Sequence, residues 1–298
     1  MNVYNQIASN KRRTILLMSL FIVFILILGF IFSYTIEQGW VGLIMAVLIA
    51  TASSLFGYYA GDKLALFTAG AKGPINKEQN SYVYNLVENL CIAAGLSMPK
   101  IYIIPDPAIN AFATGRDPEH SSVAITQGAI DNLENEELEG VLAHELSHIK
   151  NYDIRLMMLV IICVSFITLL ANWMFRFSFF GGHRSNNRGG GGIQLVFLLI
   201  GAVFAILSPV LAKIVQLAIS RKREFLADGS AVLLTRYPEG LARALEKIKT
   251  QATPLTHANK ATAHLYISSP FAQKSFFGNM FSTHPPIDER IAKLREIA

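Results

Sequence analysis

Four uncharged apolar runs constrain this chain more than any other feature. They cover Thr14 to Tyr34, Trp40 to Ala60, Leu156 to Phe175 and Ile193 to Ala212, each 20 or 21 residues long. A helix of about 20 such residues crosses the hydrocarbon core of a bilayer. Five residues, Thr35 to Gly39, join the first two runs, so these form a helical hairpin. Trp40 and the Tyr58-Tyr59 pair sit at the ends of the second run, where aromatic residues favour the interface. A cleavable signal peptide would also begin with a basic stretch such as Lys11-Arg12-Arg13. The first run is longer than a signal-peptide core, however, and no small-residue cleavage site follows it. Composition agrees with a chain partly dissolved in lipid: 52% of residues are apolar and only 16% charged, against about 25% charged in soluble domains.

The net charge of +5 looks like a nucleic-acid signal until the positions are read. The basic residues flank the apolar runs instead. Twelve Lys and Arg lie near the run ends on the side of the N-terminus, and three (Arg176, Arg184 and Arg188) lie on the other. The excess of positive charge marks the cytoplasmic side, so both termini are expected there, with no nucleic-acid partner. The segment Phe177 to Gly192, rich in Gly, Ser and Asn, becomes a flexible outer loop.

Two aqueous pieces remain, 95 residues from Gly61 to Arg155 and 86 from Lys213 to Ala298. Together they suffice for one domain with a real core, assembled around a membrane hairpin. The expected organisation is therefore a hairpin over 1–60, a first domain part over 61–155, a second hairpin over 156–212 and a second domain part over 213–298. In the first part, Ser81 to Ala94 has helical periodicity and ends at Gly95, a C-cap residue. Ile101 to Ile104 and Ser122 to Thr126 are short β-rich runs. An amphipathic helix follows Pro285-Pro286. Cys91 and Cys163 are too few for a disulfide framework or a cysteine metal cluster.

The strongest local signal is His144-Glu145-Leu146-Ser147-His148. A helix start precedes it at Asn135-Glu136-Glu137, with Asn135 as N-cap and the acids favoured by the helix dipole. Leu138, Leu142, Leu146 and Ile149 form a buried stripe, while His144 and His148 share another face one turn apart. Two imidazoles so placed bind one metal, leaving Glu145 beside them to hold a water. The H-E-x-x-H pattern arises by chance in about one chain of this length in a hundred. A third ligand is expected from Arg221-Lys222-Arg223-Glu224-Phe225-Leu226-Ala227-Asp228, just past the fourth run. Glu224 would complete a His2Glu site with water in the fourth position, the catalytic arrangement of zinc. Asp228, four residues on, would accept the second ring N–H of a ligand histidine.

These motifs, together with Asp153 five residues after His148, Asn110-Ala111-Phe112-Ala113 and a late His284-Pro285-Pro286, resemble the HtpX-type integral membrane zinc metalloproteases. That family belongs to the gluzincins and is related to the CAAX prenyl proteases, and the resemblance covers nearly the whole chain. It implies a mainly α membrane protein with four transmembrane helices and a cytosolic α+β zincin-like domain holding one Zn2+. It further implies a bacterial inner-membrane endopeptidase acting on misfolded or damaged membrane proteins, in quality control under stress. His284 and Arg290 are similar to positions that donate to the oxyanion in related enzymes. The substrate backbone is expected to pair with an exposed edge of the Ser122 to Thr126 strand.

His120, His183, His257 and His264 have no partner at ligand spacing and are expected in solvated loops. Two other classes compete. A transporter would carry ionisable groups inside its spans, and none of the four runs contains one. A membrane scaffold with a structural zinc would need a closed site of four protein ligands, which Asp228 could supply.

Overall fold

The computed structural model describes residues 3–35, 40–160, 162–163, 166, 221–251, 253–256, 262–268 and 285–297. Two long helices open the chain, α1 (Val3–Thr35) and α2 (Trp40–Thr68). Each contains one apolar run and continues past it, since nothing in the flanking residues breaks a helix. Among the described residues, no helix is long and apolar enough to cross a membrane. The fourth run and the outer loop lie outside the described residues, as does most of the third run. The described start of the third run packs on α1: Leu17, Phe21 and Ile25 bury against Leu156, Leu159, Val160 and Cys163. The rings of Phe21 and Phe166 meet edge-on at 5.4 Å.

Past its apolar run, α2 packs against a small sheet. Ala65 and Leu66 are buried with Ile104, Phe112, Ala124 and Tyr266 under one face of that sheet. Helix α3 (Ser81–Ala94) has the predicted bounds. Asn80 caps it by accepting from the Val83 N–H at 3.0 Å. Gly95 ends it with φ 65°, and the Leu96 N–H returns to the Cys91 carbonyl at 2.9 Å. A left-handed residue at that position closes the last turn, and glycine adopts it without a Cβ penalty.

The sheet has three strands, β1 (Lys100–Ile104), β2 (Ala111–Asp117) and β3 (His120–Thr126), in the order β1-β3-β2. β3 runs parallel to β1 and antiparallel to β2. This corrects the expected exposed edge at Ser122 to Thr126: that strand is central and paired on both sides. The edge strand β2 is Ala-Phe-Ala-Thr-Gly-Arg-Asp, whose alanines and glycine have little strand preference of their own. Its extended form comes from pairing Ala111 with Ile125 and Ala113 with Val123, and from burying Phe112.

A short helix α4 (Gln127–Asn132) leads to α5 (Asn135–Lys150), which carries the paired histidines. The N-cap is Glu134, not Asn135. The Glu137 carboxylate accepts from the Glu134 N–H at 2.8 Å and from Lys247 at 2.7 Å. One acid thus closes the helix start and ties it to a neighbouring helix, which Asn135, inside the first turn, could not do. Leu138, Leu142, Leu146 and Ile149 are fully buried, as the periodicity predicts. After α5 the chain turns sharply at Tyr152, whose φ is 60°, and residues 153–160 resume a helix.

Three further helices follow among the described residues: α6 (Arg221–Thr235), α7 (Pro238–Gln251) and α8 (Ile287–Ile297). α7 crosses α5 at Gly140, where a Cβ would lie 2.7 Å from the Leu241 backbone nitrogen. α8 follows Pro285-Pro286 as expected and buries Arg290, Ile291 and Leu294. Of the histidines expected in solvated loops, His120 is exposed and bonds Asp117 at 2.7 Å. His264 corrects the expectation: it is 3% exposed, with Nε2 3.2 Å from the Met157 carbonyl oxygen. Its neighbours Leu265 and Tyr266 draw the segment under the sheet. His183 and His257 lie outside the described residues.

Candidate metal centre

α5 and α6 pack side by side and bring three ligand-type side chains together in the buried interior. His144, His148 and Glu224 each offer a donor atom, all within 4.8 Å of one another. The two Nε2 atoms are 3.1 Å apart, because residues four apart on a helix stand one turn above each other. Glu224 lies 3.8 Å from His144 Nε2 and 3.6 Å from His148 Nε2 through its two oxygens.

The outer nitrogen of each ring determines what the inner one offers. His144 Nδ1 lies 2.9 Å from Asp228 Oδ1, and His148 Nδ1 lies 3.1 Å from Asp153 Oδ2. A carboxylate accepts, so each Nδ1 donates, and in the neutral ring each Nε2 then presents a lone pair. Two lone pairs and a carboxylate facing each other in a buried space repel unless a cation sits among them. Zinc bound to nitrogen at about 2.0–2.1 Å sets tetrahedral ligand atoms about 3.3 Å apart, close to the spacing found. The donor set therefore fits a divalent metal with nitrogen and oxygen ligands.

Arg290 secures the His144 side. It is fully buried on α8 and grips Asp228 with two parallel bonds, Nε to Oδ2 at 2.9 Å and Nη2 to Oδ1 at 2.6 Å. Its Nη1 donates to the Ile267 carbonyl at 3.2 Å and stands 3.8 Å from Glu224. The guanidinium thus faces the carboxylates that flank the metal site. His284, the other residue assigned to the oxyanion by resemblance, lies outside the described residues.

Burial and charge tune the titrating groups in opposite directions. Burial lowers His144 to about 4 with help from the Arg290 charge, against the bond to Asp228. Burial also works to lower His148, but its bond to Asp153 and the charges of Glu224, Asp153 and Glu145 outweigh that and raise it to about 9. Glu145 is raised to about 7, first by burial and then by Glu224, with His148 opposing. Among the described residues neither Glu145 oxygen closes a hydrogen bond, although the Ala113 backbone N–H points toward them. A buried carboxyl with both oxygens uncommitted is positioned to bind and deprotonate a water. Asp228 stays below the usual carboxylate range because Arg290 and His144 together outweigh its burial.

The edge of the sheet nearest the site belongs to β2. Thr126 N–H bonds the Asn110 carbonyl, so the alternation of an antiparallel ladder turns the amides of Ala111, Ala113 and Gly115 outward. The Ile267 N–H already occupies the Ala111 carbonyl at 3.0 Å, and Asn110 Nδ2 donates to the Ser268 carbonyl at 3.1 Å. The protein's own backbone thus occupies one end of this edge.

Three residues of the centre escaped the sequence reading of the site. Asp153 entered there only as a motif position, and its bond to His148 depends on the turn at Tyr152. Asn10 and Arg223 also converge on Asp153. No spacing rule links residue 10 to residue 148.

Comparison with known proteins follows the same outline. Peptidase family M48 matches residues 77–298. A protein named Protease HtpX homolog from Dictyoglomus turgidum is 45% identical over 297 residues, covering 98% of this chain and 94% of its own. Its namesake from Tropheryma whipplei is 41% identical and covers 99% of this chain and 98% of its own. Among solved structures, S. mikatae Ste24p shares the fold with a TM-score of 0.54 at 18% identity, covering 98% of this chain and 67% of that one.

Proposed function

The chain belongs to peptidase family M48 and is a membrane-associated metallopeptidase, and from that premise we propose that it is a zinc endopeptidase of membrane-protein quality control. The observation that carries the reading is the convergence of His144, His148 and Glu224 beside the uncommitted carboxyl of Glu145. His144, His148 and Glu224 would hold one Zn2+. Bound metal supplies Lewis-acid activation of water and of the scissile carbonyl. Glu145 takes the proton from the attacking water and passes it to the leaving amine. Arg290 orients Asp228, which in turn orients His144; together with His284 it also supplies positive charge toward the oxyanion. Substrate backbone pairs along the outward amides of β2 near Ala113, which gives affinity with little demand on side chains. That economy suits unfolded polypeptides of varied sequence. A closed structural site would need Asp228 on the metal, and both of its oxygens are engaged by Arg290 and His144.

The four-span architecture and its orientation belong to the same proposal. α1 exposes Ile15, Leu16, Leu20, Val23, Ile27 and Phe30, and α2 exposes Ile44, Val47, Leu48, Leu55 and Phe56. Apolar side chains in such number favour a lipid surround. His148 and Glu224 flank the second hairpin at its two ends, so an even number of crossings returns the chain to one side. The basic excess assigns that side to the cytoplasm, with the domain divided as 61–155 and 213–298. Casein hydrolysis by the purified chain, with one zinc per chain and loss of turnover under a chelator, tests the chemistry. Undiminished turnover after metal removal would overturn it. The topology is read by changing Ser185 and Ser282 separately to Cys in a Cys-free background. An impermeant reagent outside intact cells should label position 185 and spare 282, and the opposite pattern would invert the orientation.

A further inference from the structure

α1 reaches the metal centre through one buried side chain. Asn10 stands just before Lys11-Arg12-Arg13 and is 2% exposed. Its Nδ2 donates to Asp153 Oδ1 at 2.7 Å and to the Asn151 carbonyl at 2.9 Å. The other oxygen of Asp153 accepts from His148 Nδ1 at 3.1 Å. Beside this bond the Lys11 ammonium lies over the Tyr152 ring, 4.6 Å from its centre. The first helix therefore grips the whole turn from Asn151 to Asp153, the turn whose left-handed Tyr152 aims Asp153 back at α5.

The remaining contact on Asp153 explains why Asn10 carries the weight. Arg223 is buried and its Nη1 is 3.6 Å from Asp153 Oδ1, and among the described residues none of its guanidinium nitrogens closes a hydrogen bond. Charge from Arg223 steadies the carboxylate but does not set its angle. Among the described residues, only the amide of Asn10 bonds that oxygen of Asp153 at close range, and a ligand imidazole is oriented by whatever orients its carboxylate partner. Asn10 also lies outside residues 77–298, the part matched by the peptidase family.

We propose that Asn10 is a positioning residue of the metal centre, holding Asp153 so that His148 keeps its lone pair on the metal and coupling the first helix to the strength of metal binding. The proposal rests on the metallopeptidase reading, and the test separates the two. Full-length wild type, Asn10→Ala, Asp153→Ala and the double variant are loaded with Zn2+ in detergent, and zinc release to a colorimetric chelator is timed. Loss of a carboxylate partner weakens metal binding by about 10–100-fold, so one bond farther out Asn10→Ala should speed release by about 3–10-fold. In the Asp153→Ala background the Asn10→Ala change should have no further effect, because its route to His148 is already cut. A merely structural Asn10 would instead multiply release by the same factor in both backgrounds. Asn10→Asp keeps the shape and removes the N–H donor, so it carries the same test if the alanine variant does not accumulate. Unfolding midpoints of the metal-free proteins identify any general loosening. Wild-type release rates in Asn10→Ala, or equal factors in both backgrounds, would overturn the proposal. Failure of the wild type to retain zinc would overturn the metallopeptidase reading itself.

Discussion

His144 and His148 each give Nδ1 to a buried carboxylate, at 2.9 and 3.1 Å, yet the carboxylates are held in different ways. On the His144 side, Asp228 is clamped by Arg290 through two bonds, all from α6 and α8 at the C-terminal end of the chain. On the His148 side, Asp153 is held by the neutral amide of Asn10 from α1, with Arg223 at 3.6 Å. Their electrostatics differ accordingly. A full positive charge beside His144 adds to its burial and leaves it at about 4, while at His148 the bond to Asp153 and the charges of Glu224, Asp153 and Glu145 outweigh burial and raise it to about 9. The same ligand chemistry is thus anchored rigidly on one side by an internal ion pair. On the other it depends on how the first helix docks.

Removing the chemistry without touching either anchor gives the largest effect. Glu145→Gln should keep zinc and fold while turnover falls by on the order of 10²–10⁴-fold. Bound zinc and peptide turnover are measured on one preparation, and near-normal turnover would remove Glu145 from the mechanism. Glu224→Ala, which takes away the ligand shared by both sides, should purify without zinc by elemental analysis. Retained stoichiometric zinc would show that the two histidines suffice.

The two anchors themselves come next. Asp228→Ala and Asp153→Ala should each weaken zinc affinity by about 10–100-fold, and competition with a chelator ranks them. If either empties the site more completely than Glu224→Ala, that carboxylate is the ligand and Glu224 its support. The smallest contrast is in stability. Arg290→Met strips the buried Asp228 of its bidentate partner, and breaking a buried pair costs about 3–5 kcal/mol. Arg223→Met removes a cation that closes no hydrogen bond among the described residues and should cost clearly less. Equal shifts in unfolding midpoint for the two would mean that charge alone, without hydrogen-bond geometry, holds Asp153 and Asp228 alike.

Legibility from sequence followed the range of the interactions. The bounds of α3 were readable because Asn80 and Gly95 act on their own helix ends. The stripe from Leu138 to Ile149 was readable because a helical period of 3.6 places it on one face. β2 was not, since its alanines become a strand only against β3. The error over the N-cap of α5 has the same origin: Glu134 was chosen by a reciprocal bond with Glu137, which also binds Lys247 on α7. His264 gave no local sign of burial because its neighbours pull it beneath the sheet.

By itself the sequence determined which side chains could hold a metal. His144 and His148 are placed by helical pitch, and Glu224 with Asp228 by the same pitch on a second helix, so each pair is a local fact. Tertiary structure decided what those side chains do to one another. It set α6 against α5 so that Glu224 meets both rings. It turned the chain at Tyr152 so that Asp153 faces His148, and brought Arg290 and Asn10 from the two ends of the chain to the two carboxylates. Such contacts span 62 residues from Arg290 to Asp228 and 143 from Asn10 to Asp153. They exist because burying the helices leaves polar groups that must find partners within the fold, and no local pattern records which partner that is.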